Sequence, residues 1–334
     1  MILAWAGFLI LIGGLLAFDL GVLNKGDHAT TVREAFRNTA LFAALALAFG
    51  GVVYVAYDQQ WMGLGTVPDT IDHAINTGRL ALVKYLTGYV VELSLSSDNV
   101  FVIALIFQHL RVPTAYQHRV LFWGILGALV MRGTLIAVGA QLVARFHWLL
   151  WLFGLFLLYT AGKMLWTRGD AAEEPDESAM VRFFRRVLPV TSTEHGHDFA
   201  VREGGRWMLT PLFVCLLLVE TTDLLFAFDS IPAIFAITTD PFLVFSSNVL
   251  AILGLRSLYF ALAGALDRFV HLKTALAVIL GIVGAKMLVA EWLVDRFGTG
   301  VNQWLLALIA TILGGSVVLS LARERTTAKS DAER

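Results

Sequence analysis

Leu82-Val-Lys-Tyr-Leu-Thr-Gly-Tyr-Val-Val-Glu92-Leu-Ser-Leu-Ser-Ser-Asp98-Asn99-Val-Phe-Val-Ile-Ala-Leu-Ile-Phe107 is an apolar run with two carboxylates near its middle. About 20 apolar residues in a helix cross a hydrocarbon layer of about 30 Å, so the run has the length of a membrane span. A strand of a closed barrel would alternate apolar and polar residues with period two, and this stretch does not. The reading it imposes is an all-α, polytopic membrane protein with ionisable groups buried in its spans. Working outward, further runs of the same kind predict about nine transmembrane helices, at roughly 2–19, 38–57, 82–107, 120–142, 147–166, 210–236, 242–265, 272–292 and 303–321. Composition agrees: 57% of the 334 residues are hydrophobic, 15% are charged, and the mean hydropathy is +0.73. A net charge of -1 without a basic patch argues against nucleic acid as a partner. The single cysteine, Cys215, lies in an apolar run, which leaves no disulfide framework and no thiolate cluster.

The acidic stretch recurs. Glu92-x5-Asp98-Asn99 lines up with Asp223-Leu-Leu-Phe-Ala-Phe-Asp229-Ser230. Each is followed by a span with one arginine, Arg132-Gly133 or Arg256-Ser257, and then by a span with a lysine, Ala161-Gly162-Lys163-Met164 or Gly284-Ala285-Lys286-Met287. Three spans per unit turn the second unit upside down relative to the first, which predicts two inverted three-helix repeats with a binding site between them and transport by their rocking. The expected organisation is 1–81, two N-terminal helices and their loops; 82–166, the first repeat; 167–209, a charged cytoplasmic linker; 210–292, the second repeat; and 293–334, a last helix and a fraying tail. The apolar start, without a basic leader or small-residue cleavage site, is expected to be a retained first span. Seventeen of the 25 basic residues fall on one side of the spans. Arg79, Lys84, Arg145 and Arg296 fall on the other, and Arg132, Lys163, Arg256 and Lys286 fall within spans. That bias places the N-terminus outside and the C-terminus in the cytoplasm. The glycine pairs Gly13-Gly14, Gly50-Gly51 and Gly314-Gly315 are expected to let helices approach closely.

The chemistry resides in Glu92, Asp98, Glu220, Asp223 and Asp229, with Asn99 beside Asp98 and Asp19 at the end of the first span. A carboxylate in hydrocarbon costs at least ~2.5 kcal/mol, so these groups need cations. One answer is structural: Arg132, Lys163, Arg256 and Lys286 neutralise them as ion pairs. The other is a transported cation, for which Ser94, Ser96, Ser97, Thr221, Thr222 and Ser230 add neutral oxygens. An all-oxygen set suits hard divalent ions such as Mn²⁺, Mg²⁺ or Ca²⁺ better than Zn²⁺ or Cu⁺. Residues six apart on a helix are separated by about 9 Å along the axis and by about 120° around it. Each pair therefore either serves two sites or flanks an interruption. Pro232 crowds the carbonyl of Phe228, which predicts a break there, with a simple kink as the alternative. Thr193-Glu-His-Gly-His-Asp198 is read as solvated linker, with metal scavenging as the lesser option.

At these residues the sequence resembles the TerC family of integral membrane proteins, and within it the Alx-like branch. The resemblance rests on Glu92-x5-Asp98-Asn99, on Glu220-x2-Asp223-x5-Asp229-Ser-Ile-Pro-Ala233, on the stretch from Tyr116 to Arg132, and on Asp19-Leu-Gly-Val22. It implies a bacterial inner-membrane exporter of Mn²⁺, with links to metal homeostasis, alkaline pH and tellurite resistance. By position, the family's acidic motif residues fall on Glu92, Asp98, Asn99, Glu220, Asp223 and Asp229. Five buried carboxylates against four buried bases leave -1 before loading, so proton antiport is the expected coupling. Two other classes stand beside transport. An intramembrane aspartyl protease would pair Asp98 with Asp229, although Ser-Ser-Asp-Asn and Ala-Phe-Asp-Ser are not the usual contexts. A membrane scaffold would assist metal loading of exported proteins. The only partners read from the sequence are the divalent ion and the lipid bilayer; it does not disclose protein partners.

Overall fold

The computed structural model describes residues 1–19, 32–166, 177–191, 196–203, 205–262 and 272–332. The elements run α1 (Ile2–Phe18), α2 (Val32–Asp58), α3 (Gly78–His109), α4 (Thr114–Arg145), α5 (Trp148–Trp166), α6 (Glu177–Val187), β1 (Ala200–Glu203), β2 (Arg206–Leu209), α7 (Pro211–Phe235), α8 (Pro241–Leu253), α9 (Leu255–Leu262), α10 (Leu272–Leu288), α11 (Ala290–Phe297) and α12 (Val301–Ala332). Among the described residues, six helices are long and apolar enough to cross a membrane, and Ile2–Phe18, Pro241–Leu253 and Thr274–Leu288 are shorter apolar helices. Each of the nine expected spans overlaps one of these, the span 242–265 only in its first half.

Apolar side chains fill the interior and also cover the outside of the bundle. Ile2, Ile10, Leu47, Trp151, Leu155 and Val318 are exposed on outer helices, as lipid-facing side chains should be. The centre belongs to α3, α7 and α8, and every residue of α8 from Phe242 to Leu253 is buried. α3 packs on α2, α7, α8, α9 and α12, and α4 packs on α7 and α8. α3 and α7 run antiparallel: Gly88 lies by Ile234 and Asn99 by Asp223.

Local sequence explains where the central helices start. Thr210 caps α7 by accepting from the Phe213 amide, and Asp240 caps α8 by accepting from the amides of Phe242 and Leu243. In both, proline follows the cap, where its missing N–H has no partner to lose. The expected break at Pro232 is not there. α7 continues to Phe235, because a proline near the end of a helix forfeits a single bond, to Phe228, and residues 230–237 are packed on all sides. The interruption falls instead at Gly254, which divides the expected span 242–265 into α8 and α9.

Close helix approach also falls at other glycines. Among the expected pairs, Gly50 touches Leu82 and Tyr85, whereas Gly13, Gly14, Gly51, Gly314 and Gly315 face open space. The tight contact joins α5 to α10, where a Cβ on Gly284 would lie 3.0 Å from the Gly154 carbonyl oxygen and 3.0 Å from Leu157 Cβ. Small residues there allow backbone to meet backbone, so dispersion replaces side-chain interdigitation.

The linker is partly folded. α6 is followed by a two-stranded hairpin, Ala200 opposite Leu209 and Glu203 opposite Arg206. Phe199 lies under the Arg119 guanidinium at 5.0 Å, and His197 packs edge-on to Tyr116 at 4.6 Å. The remainder of the histidine-containing stretch, residues 193–195, lies outside the described residues.

Candidate cation site

Arg132 is the centre of the buried polar cluster. It comes from α4 and is fully enclosed, with its side chain 2% exposed. Its Nε donates to Asp223 Oδ2 at 3.1 Å and its Nη2 to Asp223 Oδ1 at 2.8 Å, a two-pronged pair. Its Nη1 donates to Glu92 and, at 3.3 Å, to Ser230 Oγ. Glu92 also accepts from Asn248 Nδ2 at 2.8 Å and from Ser96 Oγ at 3.2 Å. Asn99 Nδ2 donates to Asp223 Oδ1 at 2.7 Å. Acids from the two acidic stretches therefore meet at one place, on antiparallel helices, and the ion-pair alternative is realised for Arg132.

Two oxygens in this neighbourhood have no hydrogen-bond donor, Asn99 Oδ1 and Glu220 Oε2, and both are buried. Asn99 has turned its amide nitrogen to Asp223, so its oxygen points elsewhere. Glu220 lies one turn before Asp223, and its carboxyl group rests on the bare Cα of Gly127, where a Cβ would come within 1.8 Å of Oε1. A cavity of about 20 Å³, room for about one water, is lined by Asn99, Asp223, Gly124, Ala128 and Val219 among others. Farther toward the same end of the bundle is a cleft of about 440 Å³ bordered by Phe107, Gln117 and Tyr259. With Glu220 ionised, three carboxylates and one guanidinium leave the cluster two charges negative. Among the described residues, no three Asp, Glu, His or Cys side chains are gathered as a ready-made metal site.

The remaining expected residues distribute as follows. Asp229 is half-buried and accepts from Thr160 on α5, so the regular helix carries it to a different face from Asp223. Ser94, Thr221 and Thr222 donate to carbonyls of their own helices, Val90, Leu217 and Leu218. Such back-bonding satisfies a hydroxyl where no external partner is in reach. Lys163 is exposed on α5. Lys286 is buried away from Arg132, donating to the Ala236 carbonyl at 2.8 Å and to Asn302 Oδ1 at 3.1 Å. The side chains of Ser97, Asp98 and Arg256 lie outside the described residues.

Sequence reasoning missed Asn248, and it missed a second polar cluster altogether. Lys84, placed by its charge at a membrane surface, is wholly buried and donates to Asp69 at 2.8 Å, to Asp72 and, at 2.7 Å, to Asn76. Thr238 and Thr239 also donate to Asp69, and Tyr57 and Asn76 donate to Asp240. Asn302 joins Asp72 to Lys286. The cluster fastens the α2–α3 connection, the α7–α8 turn, α10 and α12 together, and closes the end of the bundle opposite the cleft. Burial drives the Asp69 carboxyl upward, but the Lys84 ammonium and the surrounding donors outweigh it and hold the group down at about 2. The available signal was Asp69-x2-Asp72-x3-Asn76 ahead of a lysine inside a span, which reads as loop until the loop is seen to fold inward.

Residues 77–329 match the family described as "Integral membrane protein TerC family". The chain is 45% identical over 329 residues to the "Uncharacterized membrane protein STKORF319" of Myxococcus xanthus, covering 98% of this chain and 95% of that one. It is 42% identical over 291 residues to the "Putative membrane-bound redox modulator Alx" of Escherichia coli (strain K12), covering 87% of each. A protein of the same description from Photorhabdus laumondii is 38% identical over 320 residues, covering 96% of this chain and 94% of that one. No solved structure matches the chain. Apolar helices throughout, acidic motifs meeting at a buried arginine, and this match across most of the length lead to one conclusion: the chain belongs to the TerC family of integral membrane proteins.

Proposed function

We propose that the protein is a secondary transporter that exports divalent metal cations, Mn²⁺ foremost, from the cytoplasm across the bacterial inner membrane. The observation that carries this reading is the pair of donor-free oxygens, Asn99 Oδ1 beside a small cavity that Asp223 also lines, and Glu220 Oε2 one helical turn before Asp223. Oxygen acceptors buried without a donor are costly, and a cation satisfies them where a hydrogen bond does not. With Glu220 ionised, the described side chains of the cluster carry two net negative charges, which one divalent ion neutralises. Manganese as the ion follows from the family resemblance. Proton antiport is the coupling that this charge balance favours, because the negative charge in excess of Arg132 needs compensation once the ion has left.

Alternating access is supported by the asymmetry of the two ends. Around Lys84 the bundle is closed by ion pairs, while the cavity and cleft lie toward the other end, which the basic-residue bias assigns to the cytoplasm. Antiparallel α3 and α7, and the glycine contact between α5 and α10, are compatible with two inverted units. Asp98 and Asp229 belong to the proposed path as well, Asp229 at a station separate from Asp223.

The test is uptake into inverted vesicles bearing the full chain, comparing Mn²⁺ with Mg²⁺, Ca²⁺, Fe²⁺ and Zn²⁺ while following lumenal pH. Accumulation of Mn²⁺ above protein-free vesicles, with protons moving the opposite way, is expected; no accumulation of any divalent ion would overturn the reading. Gly127→Ala is a finer probe. The added methyl displaces only the mobile end of Glu220, so stability should stay within about 1 kcal/mol of the parent while Mn²⁺ uptake falls roughly tenfold, the effect of disturbing one ligand.

A membrane scaffold that assists metal loading of exported proteins or tellurite resistance is the second reading, separable by recovery of partner complexes from cells whose vesicles transport nothing. For the redox role in the names of the Alx relatives, this chain offers one buried cysteine, Cys215, and no dithiol. A redox effect would then follow indirectly from the supply of manganese.

A further inference from the structure

Arg132 is where four helices meet. From α4 its guanidinium reaches Glu92 on α3, Asp223 and Ser230 on α7, and Asn248 on α8. A guanidinium stays charged at any physiological pH, so it cannot release its carboxylates by losing a proton; it must move. Its two acids are not held alike. Glu92 is anchored from the far side by Asn248 and Ser96, and does not border the cavity. Asp223 borders the cavity together with Asn99, and among the described residues its hydrogen bonds come from Asn99 and from nitrogens of Arg132. A cation arriving through the cavity therefore meets Asp223 first. There it meets a carboxylate whose two oxygens are both engaged by a positive group.

We infer that Arg132 is a tethered counter-cation, which holds Asp223 when no divalent ion is bound and yields it when one arrives. This rests on the reading of Asp223 as a cation site. Two positive groups cannot share one carboxylate closely without repulsion, so loading separates Arg132 from Asp223 while the guanidinium keeps Glu92. The exchange unties α4 from α7 at mid-bundle. On departure of the ion the two-pronged pair re-forms, so the acid is never left bare in the membrane interior.

The test uses the full chain in detergent, with thermal unfolding read with and without millimolar MnCl₂. Arg132→Gln removes the internal cation, so its melting temperature should fall by roughly 10 °C without metal. Mn²⁺ should restore most of that loss and raise the parent by much less. Arg132→Gln combined with Asp223→Asn should show no such rescue, since the acid that borders the cavity is gone and the remaining one, Glu92, does not border it. A response of Arg132→Gln no larger than the parent's, or a variant that stays unfolded when purified with Mn²⁺ present, overturns the inference and assigns Arg132 a purely architectural part. If the parent's vesicles move Mn²⁺ but this rescue fails, the inference alone is lost. If the parent moves no divalent ion, the transport reading falls first.

Discussion

Lys84→Met should lower the stability of the detergent-solubilised protein by about 3–5 kcal/mol, the usual cost of removing one member of a buried ion network. Lys84 is 0% exposed and is the shared donor to Asp69, Asp72 and Asn76, so its loss strands two buried carboxylates. Methionine keeps the length of the stem, which isolates charge from packing. Adding Asp69→Asn and Asp72→Asn should recover most of the loss, and calorimetric or fluorescence melting measures both steps. A loss under about 1 kcal/mol would mean that water reaches the acids and that this end of the bundle is not closed. The same network sets an acid limit. The Asp69 carboxyl is held at about 2 against an ordinary 3.8, so its contribution is complete above the ordinary value and disappears as pH falls toward 2. That shift corresponds to about 2 kcal/mol, and it should be missing from the pH profile of Asp69→Asn.

Asp223→Asn should nearly abolish Mn²⁺ transport while the protein still inserts and folds. Asparagine fills the same volume, so packing around Arg132 persists, but the charge that faces both the guanidinium and the cavity is gone. Truncating one partner of a buried charged pair costs roughly 2–5 kcal/mol, a factor of roughly 30 to several thousand in affinity. Initial rates of Mn²⁺ uptake in inverted vesicles would measure it, with circular dichroism confirming the helices. Thr222→Val is the companion control: its hydroxyl bonds to the Leu218 carbonyl on its own helix, so transport should change by less than about twofold. Equal rates for Asp223→Asn and the parent would remove Asp223 from the ion path.

The helices were legible because apolar runs of membrane length have few alternative structures, and the convergence of Glu92 with Asp223 was legible because ionised groups in spans must find partners. The separation of Asp223 from Asp229 was legible only as one of two alternatives: the sequence favoured a break near Pro232, whereas six residues of uninterrupted helix set the two acids apart. What sequence did not disclose depends on distant packing. Pro232 could have broken α7 or only removed one bond, and the buried surroundings of residues 230–237 decide for continuity. Lys84 has the composition of a membrane-surface lysine, and only the inward fold of residues 69–76 buries it. Asn248, an uncharged residue in an apolar run, gives no sign that it will hold Glu92.

The backbone contact between Gly154 and Gly284 bears on how such a bundle can move. It joins a helix preceding the linker to a helix following it, backbone against backbone, with Leu157 and Leu288 packed beside the two glycines. The two halves of the chain are thus interleaved like clasped fingers, so in the proposed transport cycle the seam of opening would run beside α5 and α10 rather than through the linker.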